Sequence, residues 1–408
     1  IVSLSHATFG APYAQTLQAI GGTAPYLWAV VTGSLPAGLT LDPTTGQITG
    51  TPTEPGTSSF TVQVTDSSSP AAVTTRQLSV TVDQASATVA LASSPNPSVF
   101  GQAVNFTATV AATAPATGTP TGTVTFSDGA AVLGSAPLAG GSAMLTTSAL
   151  AAGAHSITAA YQGDTDFLAS ASNPLAQTVN KAATTTTLAS SSGTVAVGQT
   201  VTFTATVAAV APGAGTPSGT VTFSDGSTVL GTAPLVNGVA TFAATALTVG
   251  THSITAAYGG DTNFLPSSSS TPLGLTVGYL FTGFLSPLAT AGTLSSPTFS
   301  GSANYGSAEP LKWQLTGAGG NYISDLGSTV SLTAVLNVGC PGTPGAQSTV
   351  LYQPTSGATG GSTFRYDSSN NQFIFNWDTS SVAGPGCYTV VLQLADGSAP
   401  KATIVQLK

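Results

Sequence analysis

Apolar and polar residues alternate in short runs along most of the chain, as in Val104-Asn-Phe-Thr-Ala-Thr-Val110, Gly122-Thr-Val-Thr-Phe126 and His155-Ser-Ile-Thr-Ala-Ala-Tyr161. A period of two places alternate side chains on opposite faces, the pattern of a half-buried β-strand. Turn signals such as Ser127-Asp128-Gly129 and Ser224-Asp225-Gly226 separate the runs. They recur roughly every 8 to 15 residues, and no stretch places apolar residues at the i, i+3, i+4, i+7 spacing of a helix. The pattern predicts β-sandwiches of about seven strands each.

The pattern also repeats. His155 and His252, Tyr161 and Tyr258, Phe126 and Phe223, Phe106 and Phe203, and Gln102 and Gln199 are each 97 residues apart, and 54 of the 90 positions from Gln84 to Asn173 are identical at that shift. Identity at that level marks a duplicated domain, so residues 84–180 and 181–277 read as tandem copies. With 408 residues in all, and roughly 100 to 150 residues per domain, one domain fits before the pair and one after it. The predicted boundaries are 1–83, 84–180, 181–277 and 278–408. The expected fold is all-β, a tandem array of four Ig-like β-sandwich domains joined by linkers of a few residues into an elongated rod.

Both copies resemble bacterial Ig-like repeat domains of cell-surface proteins, almost end to end. The residues that carry the likeness are Phe106-Thr-Ala-Thr-Val, Gly118-Thr-Pro-Thr-Gly-Thr-Val-Thr-Phe-Ser-Asp-Gly129, Val132-Leu-Gly, Gly153-Ala-His-Ser-Ile-Thr-Ala-Ala-Tyr161 and Gly163-Asp164-Thr-Asp-Phe167. The first domain has a different signature, Leu35-Pro36-Ala37-Gly38-Leu39, Gly46-Gln-Ile48-Thr-Gly50-Thr51-Pro52 and Phe60-Thr-Val-Gln-Val-Thr-Asp66. It resembles the Putative Ig family of bacterial surface domains. The last domain carries Pro310-Leu311-Lys312-Trp313 and Gly386-Cys387-Tyr388-Thr-Val-Val-Leu-Gln-Leu394, and is similar to the Pro-x-Lys-Phe family of C-terminal surface domains, with Trp in place of Phe. Together these resemblances imply a bacterial cell-surface repeat protein.

Charge narrows the partners. The chain has 6 Lys and Arg against 14 Asp and Glu, a net charge of −8. That balance withholds the cationic surface that nucleic acids and anionic membranes require, so neither is an expected partner. No apolar run reaches about 18 residues, so no segment is expected to insert in a membrane. The chain starts at Ile1 without a charged and apolar leader, which reads as a mature or trimmed product whose signal peptide has been removed. Cys340 and Cys387 are the two cysteines. Neither has His or Cys neighbours at zinc-ligand spacing, so a disulfide is the expected state, which points to an oxidising, extracellular location. A bridge between them would close a loop long enough for about 4 kcal/mol on the chain-entropy model.

Catalytic candidates are sparse. His155 and His252 occupy the same strand-start position in the two copies, His6 has no partner motif, and no Gly-x-Ser-x-Gly elbow leads into a helix. No catalytic, cofactor or metal residues are assigned, and no enzyme activity or cofactor is expected. Asp164-Thr-Asp166, with Asp261-Thr-Asn263 in the second copy, reads either as a pair of calcium oxygens or as a hydrogen-bonded turn. Lys312 beside Glu309 reads either as a snorkelling or salt-bridged lysine or as an isopeptide donor. Trp28, Trp313 and Trp377 lie in strand-like text and read as core, with a sugar-stacking platform as the alternative. Asn105-Phe-Thr107 matches a glycosylation pattern that the duplicate lacks, Thr202 standing at the place of Asn105, and reads as chance.

The leading expectation is an extracellular structural protein, the subunit of a surface filament or fibre. Low charge removes the repulsion that keeps chains apart. Homo-polymerisation through sandwich edges or a donated N-terminal strand, Ile1-Val-Ser-Leu-Ser, is the expected contact. The alternatives are the stalk or glycan-binding region of a monomeric adhesin, with polysaccharide or a host surface as partner, and an accessory region of a secreted hydrolase.

Overall fold

Alternating burial confirms the strands. In Val104–Ala112 the side chains of Val104, Phe106, Ala108 and Val110 are buried while Asn105, Thr109 and Ala111 face water. The computed structural model describes residues 4–285, 292–293, 298–303, 305–325, 328–339, 342–353, 357–358 and 362–408. Its strands form four successive β-sandwiches. Among the described residues no helix is long and apolar enough to cross a membrane.

The first sandwich comprises β1 (Ala7–Thr8), β2 (Tyr13–Thr16), β3 (Leu27–Gly33), β4 (Leu39–Leu41), β5 (Gln47–Gly50), β6 (Gly56–Thr65) and β7 (Val73–Asp83). One sheet runs β1-β7-β6-β3 and the other β2-β5-β4. Its core holds Trp28, Ile48, Phe60, Val62 and Val80. Leu4 also sits in this core, so the described end of the expected donor segment packs into its own sandwich; Ile1, Val2 and Ser3 lie outside the described residues.

The second sandwich has nine short strands rather than about seven. They are β8 (Ala87–Ser94), β9 (Ser98–Val99), β10 (Val104–Ala112), β11 (Thr123–Asp128), β12 (Ala131–Pro137), β13 (Ser142–Thr147), β14 (Gly153–Tyr161), β15 (Ser170–Ala171) and β16 (Leu175–Asn180). The two extra ones are two-residue pairings, too short for a periodicity to show. The third sandwich repeats this layout, and the register shift between Phe126 and Ser127 recurs between Phe223 and Ser224.

In the fourth sandwich a four-stranded sheet that includes Ala308–Thr316 and Gln372–Asp378 faces a larger sheet that includes Thr329–Gly339, Gly386–Leu394 and Lys401–Leu407. Between them Trp313, Trp377, Phe373, Phe375 and Tyr388 make the most aromatic core of the chain. The chain divides into two compact units. One holds residues 1–182 with 210–215 and 262–264; the other holds 183–209, 216–261 and 265–408. The two short loop segments of the third sandwich therefore group with the second sandwich, for reasons found at its junction.

Candidate functional site: the sandwich junctions

One local device recurs at every passage from a sandwich to the next. A short strand near the start of each sandwich pairs in parallel with its last strand: β1 with β7, β9 with β16, and Thr194–Ala196 with Leu273–Gly278. The next residue then donates its N–H to the end of that last strand, Phe9 to Asp83 O, Phe100 to Asn180 O and Val197 to Gly278 O, at 2.8–2.9 Å. A tight turn follows, closed by Ala11 N–H to Thr8 O, Gln102 N–H to Val99 O, and Gln199 N–H to Ala196 O. Its third residue is glycine each time, Gly10, Gly101 and Gly198, at φ 67°, 79° and 82°. That conformation suits a type II turn and needs glycine. The turn thus projects an apolar side chain and a free carbonyl beyond the sandwich, as a tenon.

The first two tenons enter the next sandwich between two of its loops, and the third meets the loop at Ala318. Phe9 meets Phe167 edge to face at 5.4 Å, and both the N–H and the hydroxyl of Thr117 donate to Gly10 O at 3.0 Å. Phe100 meets Phe264 in the same geometry at 5.2 Å, and Ala214 N–H donates to Phe100 O at 3.1 Å. Ala318 N–H donates to Val197 O at 3.0 Å. A Cβ on Gly10 or Gly101 would collide with the carbonyl oxygen of Thr117 or Ala214. The apolar contact and the hydrogen bond are therefore made at backbone-to-backbone distance. Loops 210–215 and 262–264 of the third sandwich are the walls that hold Phe100, which is why they group with the second.

The Asp164 loop is part of this socket. Asp164 accepts from the N–H groups of Asp166 and Phe167 with one carboxylate oxygen, and from the N–H and hydroxyl of Thr121 with the other, at 2.7–2.8 Å. Burial opposes its charge, but these four donors outweigh it and lower its pKa. Of the two readings of this motif, the structure presents the hydrogen-bonded turn, with Asp164 tying two loops into one wall. Asp261 does the same through Ser218. Ala85 and Ala182, at the linkers, donate their N–H groups to Asp166 O and Asn263 O. Asn263 stands where the other copy has Asp166, and its side-chain oxygen accepts the N–H of Ala152 from the second sandwich at 3.0 Å. The change from Asp to Asn replaces a charge with a junction contact.

The histidines serve the sandwich interiors. His155 Nδ1 lies 2.7 Å from Asp128 and its Nε2 lies 2.9 Å from Ala151 O; His252 repeats this with Asp225 at 2.6 Å and Thr248 O at 2.7 Å. Burial pushes both imidazoles toward the neutral form, yet the carboxylate and the carbonyl together raise their pKa above 6.5. His6 is exposed and lies 2.9 Å from Asp83. Trp313 and Trp377 are fully buried and Trp28 nearly so, which makes them core. Lys312 lies on Ala308–Thr316, three residues after Glu309, whose carboxylate accepts the hydroxyl of Ser307. Cys387 is buried on Gly386–Leu394, while Cys340 lies outside the described residues. Among the described residues no three His, Cys, Asp or Glu side chains converge as a metal site would require.

The tenons escaped the sequence reading because the repeat diverges there: Phe100 corresponds to Val197. The signal that could have found them is an apolar residue followed by glycine three positions before the start of a strand, Gly10 before Tyr13, Gly101 before Val104 and Gly198 before Val201.

Residues 91–180 and 187–278 match the family model for the bacterial Ig-like domain (group 3), and residues 2–83 match the one named Putative Ig domain. These matches end at residue 278, before the fourth sandwich. Solved structures that resemble the chain include a tetra-tandem repeat in the extending region of a large adhesion protein, at 17% identity over 100% of this chain and 97% of that one, with a TM-score of 0.37. Three N-terminal domains of the highly immunogenic outer capsid protein Hoc of bacteriophage RB49 resemble it at 14% identity over 79% and 99%, with a TM-score of 0.28. Fibronectin(III)-like modules of CbhA from Clostridium thermocellum do so at 20% identity over 47% and 93%, with a TM-score of 0.20. These likenesses extend to the fold alone. No curated protein matches the chain.

Proposed function

Because the chain belongs to the bacterial Ig-like repeat proteins, carrying two group 3 domains behind a Putative Ig domain, we propose that it is an extracellular structural protein, the subunit of a surface filament or fibre. The observation that carries this reading is the recurring junction. A flexible tether between domains needs only a few polar residues. Here each boundary instead carries a dedicated turn, a hydrogen bond across it and, at the first two, an aromatic pair. Sequence is spent on fixing one sandwich against the next, as a load-bearing or spacing element requires and a loosely strung binding module does not. The sparse charge supports the same reading, since chains of low charge pack against one another without strong repulsion.

Negative-stain electron microscopy with light scattering across a dilution series tests it. Regular filaments with a constant axial repeat are expected. Isolated beads at every concentration would overturn the filament and favour the stalk of a monomeric surface adhesin, for which the same junctions serve as spacers.

A further inference from the structure

One peptide unit joins the His155 site to the contact with the third sandwich. The carbonyl of Ala151 faces His155 Nε2 at 2.9 Å, and the N–H of Ala152 donates to Asn263 Oδ1 at 3.0 Å. These two groups are the ends of a single amide, which is planar, so neither can turn without carrying the other. The amide lies in residues 148–152, the short connection from β13 to β14, beside Leu150, which is buried in the core of the second sandwich. Asn263 belongs to the loop of the third sandwich that also supplies Phe264, the ring against Phe100.

The imidazole at one end of this amide has a single protonation state that suits both of its partners. Asp128 Oδ2 lies 2.7 Å from Nδ1, while the Ala151 carbonyl faces Nε2. An ionised carboxylate and a carbonyl only accept, so both ring nitrogens must carry hydrogen, and only the imidazolium has two. Asp128 is itself fixed, its second oxygen accepting the N–H of Ser156 at 3.1 Å. Among the described residues no other ionisable group acts on the ring. Its neighbour on β16 is Gln177, which is uncharged and whose amide donates to Pro95 O and Ser98 Oγ. The His155 side chain is 12% exposed, so little water replaces a lost bond. On losing a proton the ring keeps the one it shares with the carboxylate, because a charged acceptor makes the stronger bond. Nε2 then presents a lone pair to Ala151 O, and two acceptors in contact repel.

We infer that His155 is a pH-sensitive latch between the second and third sandwiches: its imidazolium holds the Ala151–Ala152 amide in the orientation that donates to Asn263, and deprotonation releases that contact. The amide couples the two ends by position and by polarisation, since a carbonyl that accepts a hydrogen bond makes the N–H of the same peptide a better donor. Because the carboxylate and the carbonyl raise the histidine's pKa, the contact is complete at acid pH and is lost as pH rises through the raised value. The duplicate copy supplies an internal comparison. His252 makes the same two contacts, with Asp225 and with Thr248 O. The N–H of that amide, on Val249, has no hydrogen-bond partner among the described residues, so the titration of His252 has no such contact to release. The inference goes beyond the filament reading and does not depend on it.

NMR of the full chain across a pH series tests the latch, following the imidazole signals of the histidines and the protection of the Ala152 amide relative to its intrinsic exchange rate at each pH. Ala152 protection should fall about fivefold with the same midpoint as the His155 titration, as loss of one ordinary hydrogen bond does. His155→Gln should leave Ala152 protection flat across that range. Asn263→Ala removes the acceptor without touching the ring, at a loop position where the other copy already differs, having Asp166. By linkage the contact and the proton favour each other equally. This variant should therefore lower the His155 midpoint by up to about 0.7 pH unit, the logarithm of that fivefold factor, and leave the His252 midpoint in place. Ala152 protection that ignores the His155 titration, or a His155 midpoint unmoved in Asn263→Ala, would overturn the latch.

Discussion

Replacing Gly10 by alanine, with Gly198→Ala as the paired control, separates what the junction contributes from what the turn itself needs. Both glycines sit at the same position of the same turn, at φ 67° and 82°. A Cβ at either one costs about 1–2 kcal/mol for the left-handed backbone. At Gly198 that is the whole expectation, because nothing lies within 4 Å of the added atom. At Gly10 the methyl collides with Thr117 O, and the second sandwich must back away. Both hydrogen bonds from Thr117 to Gly10 O are then lost, at about 1 kcal/mol each. The Phe9–Phe167 pair opens with them, which adds about 0.5–1.5 kcal/mol. The junction should therefore weaken by about 2.5–3.5 kcal/mol beyond the control. Hydrogen exchange at the Thr117 amide reads this directly, because that N–H is protected only while the tenon is seated. Exchange should accelerate roughly 60- to 300-fold in Gly10→Ala, the equivalent of that energy, and stay unchanged in Gly198→Ala. Thr117 exchanging at the wild-type rate in Gly10→Ala, with a melting loss equal to that of the control, would refute the docked tenon.

The remaining expectations concern the interior of the sandwiches. His252 has a raised pKa and Asp225 a lowered one; the histidine's contribution is full below its unfolded value near 6.5 and is lost as pH rises through the raised value, while the aspartate's is present above about 3.8 and is lost as pH falls through the lowered one. Melting of the third sandwich should therefore be highest between these limits, and His252→Gln should flatten the decline on the alkaline side; an unaltered profile would sink the pairing. Asp164→Ala removes four hydrogen bonds that hold two loops together, so the second sandwich should lose about 2–3 kcal/mol in denaturant unfolding. A chelator should leave wild-type melting where it was, because those oxygens already have their donors; a clear drop would revive the calcium reading. A Cys340–Cys387 bridge predicts a non-reduced mass lower than the reduced one by two hydrogens and a loss of about 4 kcal/mol on reduction; equal masses would exclude it.

The legible part of this protein was whatever a strand announces locally. The burial alternation of Val104–Ala112 follows from its sequence because a pleated strand sends successive side chains to opposite faces, and the 97-residue repeat carried that reading from one copy to the other. Thr-rich outward faces, turn glycines and the place of His155 at a strand start were visible for the same reason. The two-residue strands Ser98–Val99 and Ser170–Ala171 were not, since a run that short has no period. Asp164 was noticed, but whether its oxygens faced a cation or four donors depends on Thr121, 43 residues away. The junctions lay further out of reach. Gly10 and Thr117 are separated by 107 positions, and Phe100 has a valine at its place in the duplicate copy, so neither spacing nor self-comparison marks them. Sequence alone determined that the chain folds into Ig-like sandwiches in series, because side-chain alternation and turn chemistry act between near neighbours. Only the tertiary structure decided which distant loop each turn glycine meets, because a contact such as Gly10 with Thr117 joins backbones far apart in the chain that meet only after each sandwich has formed.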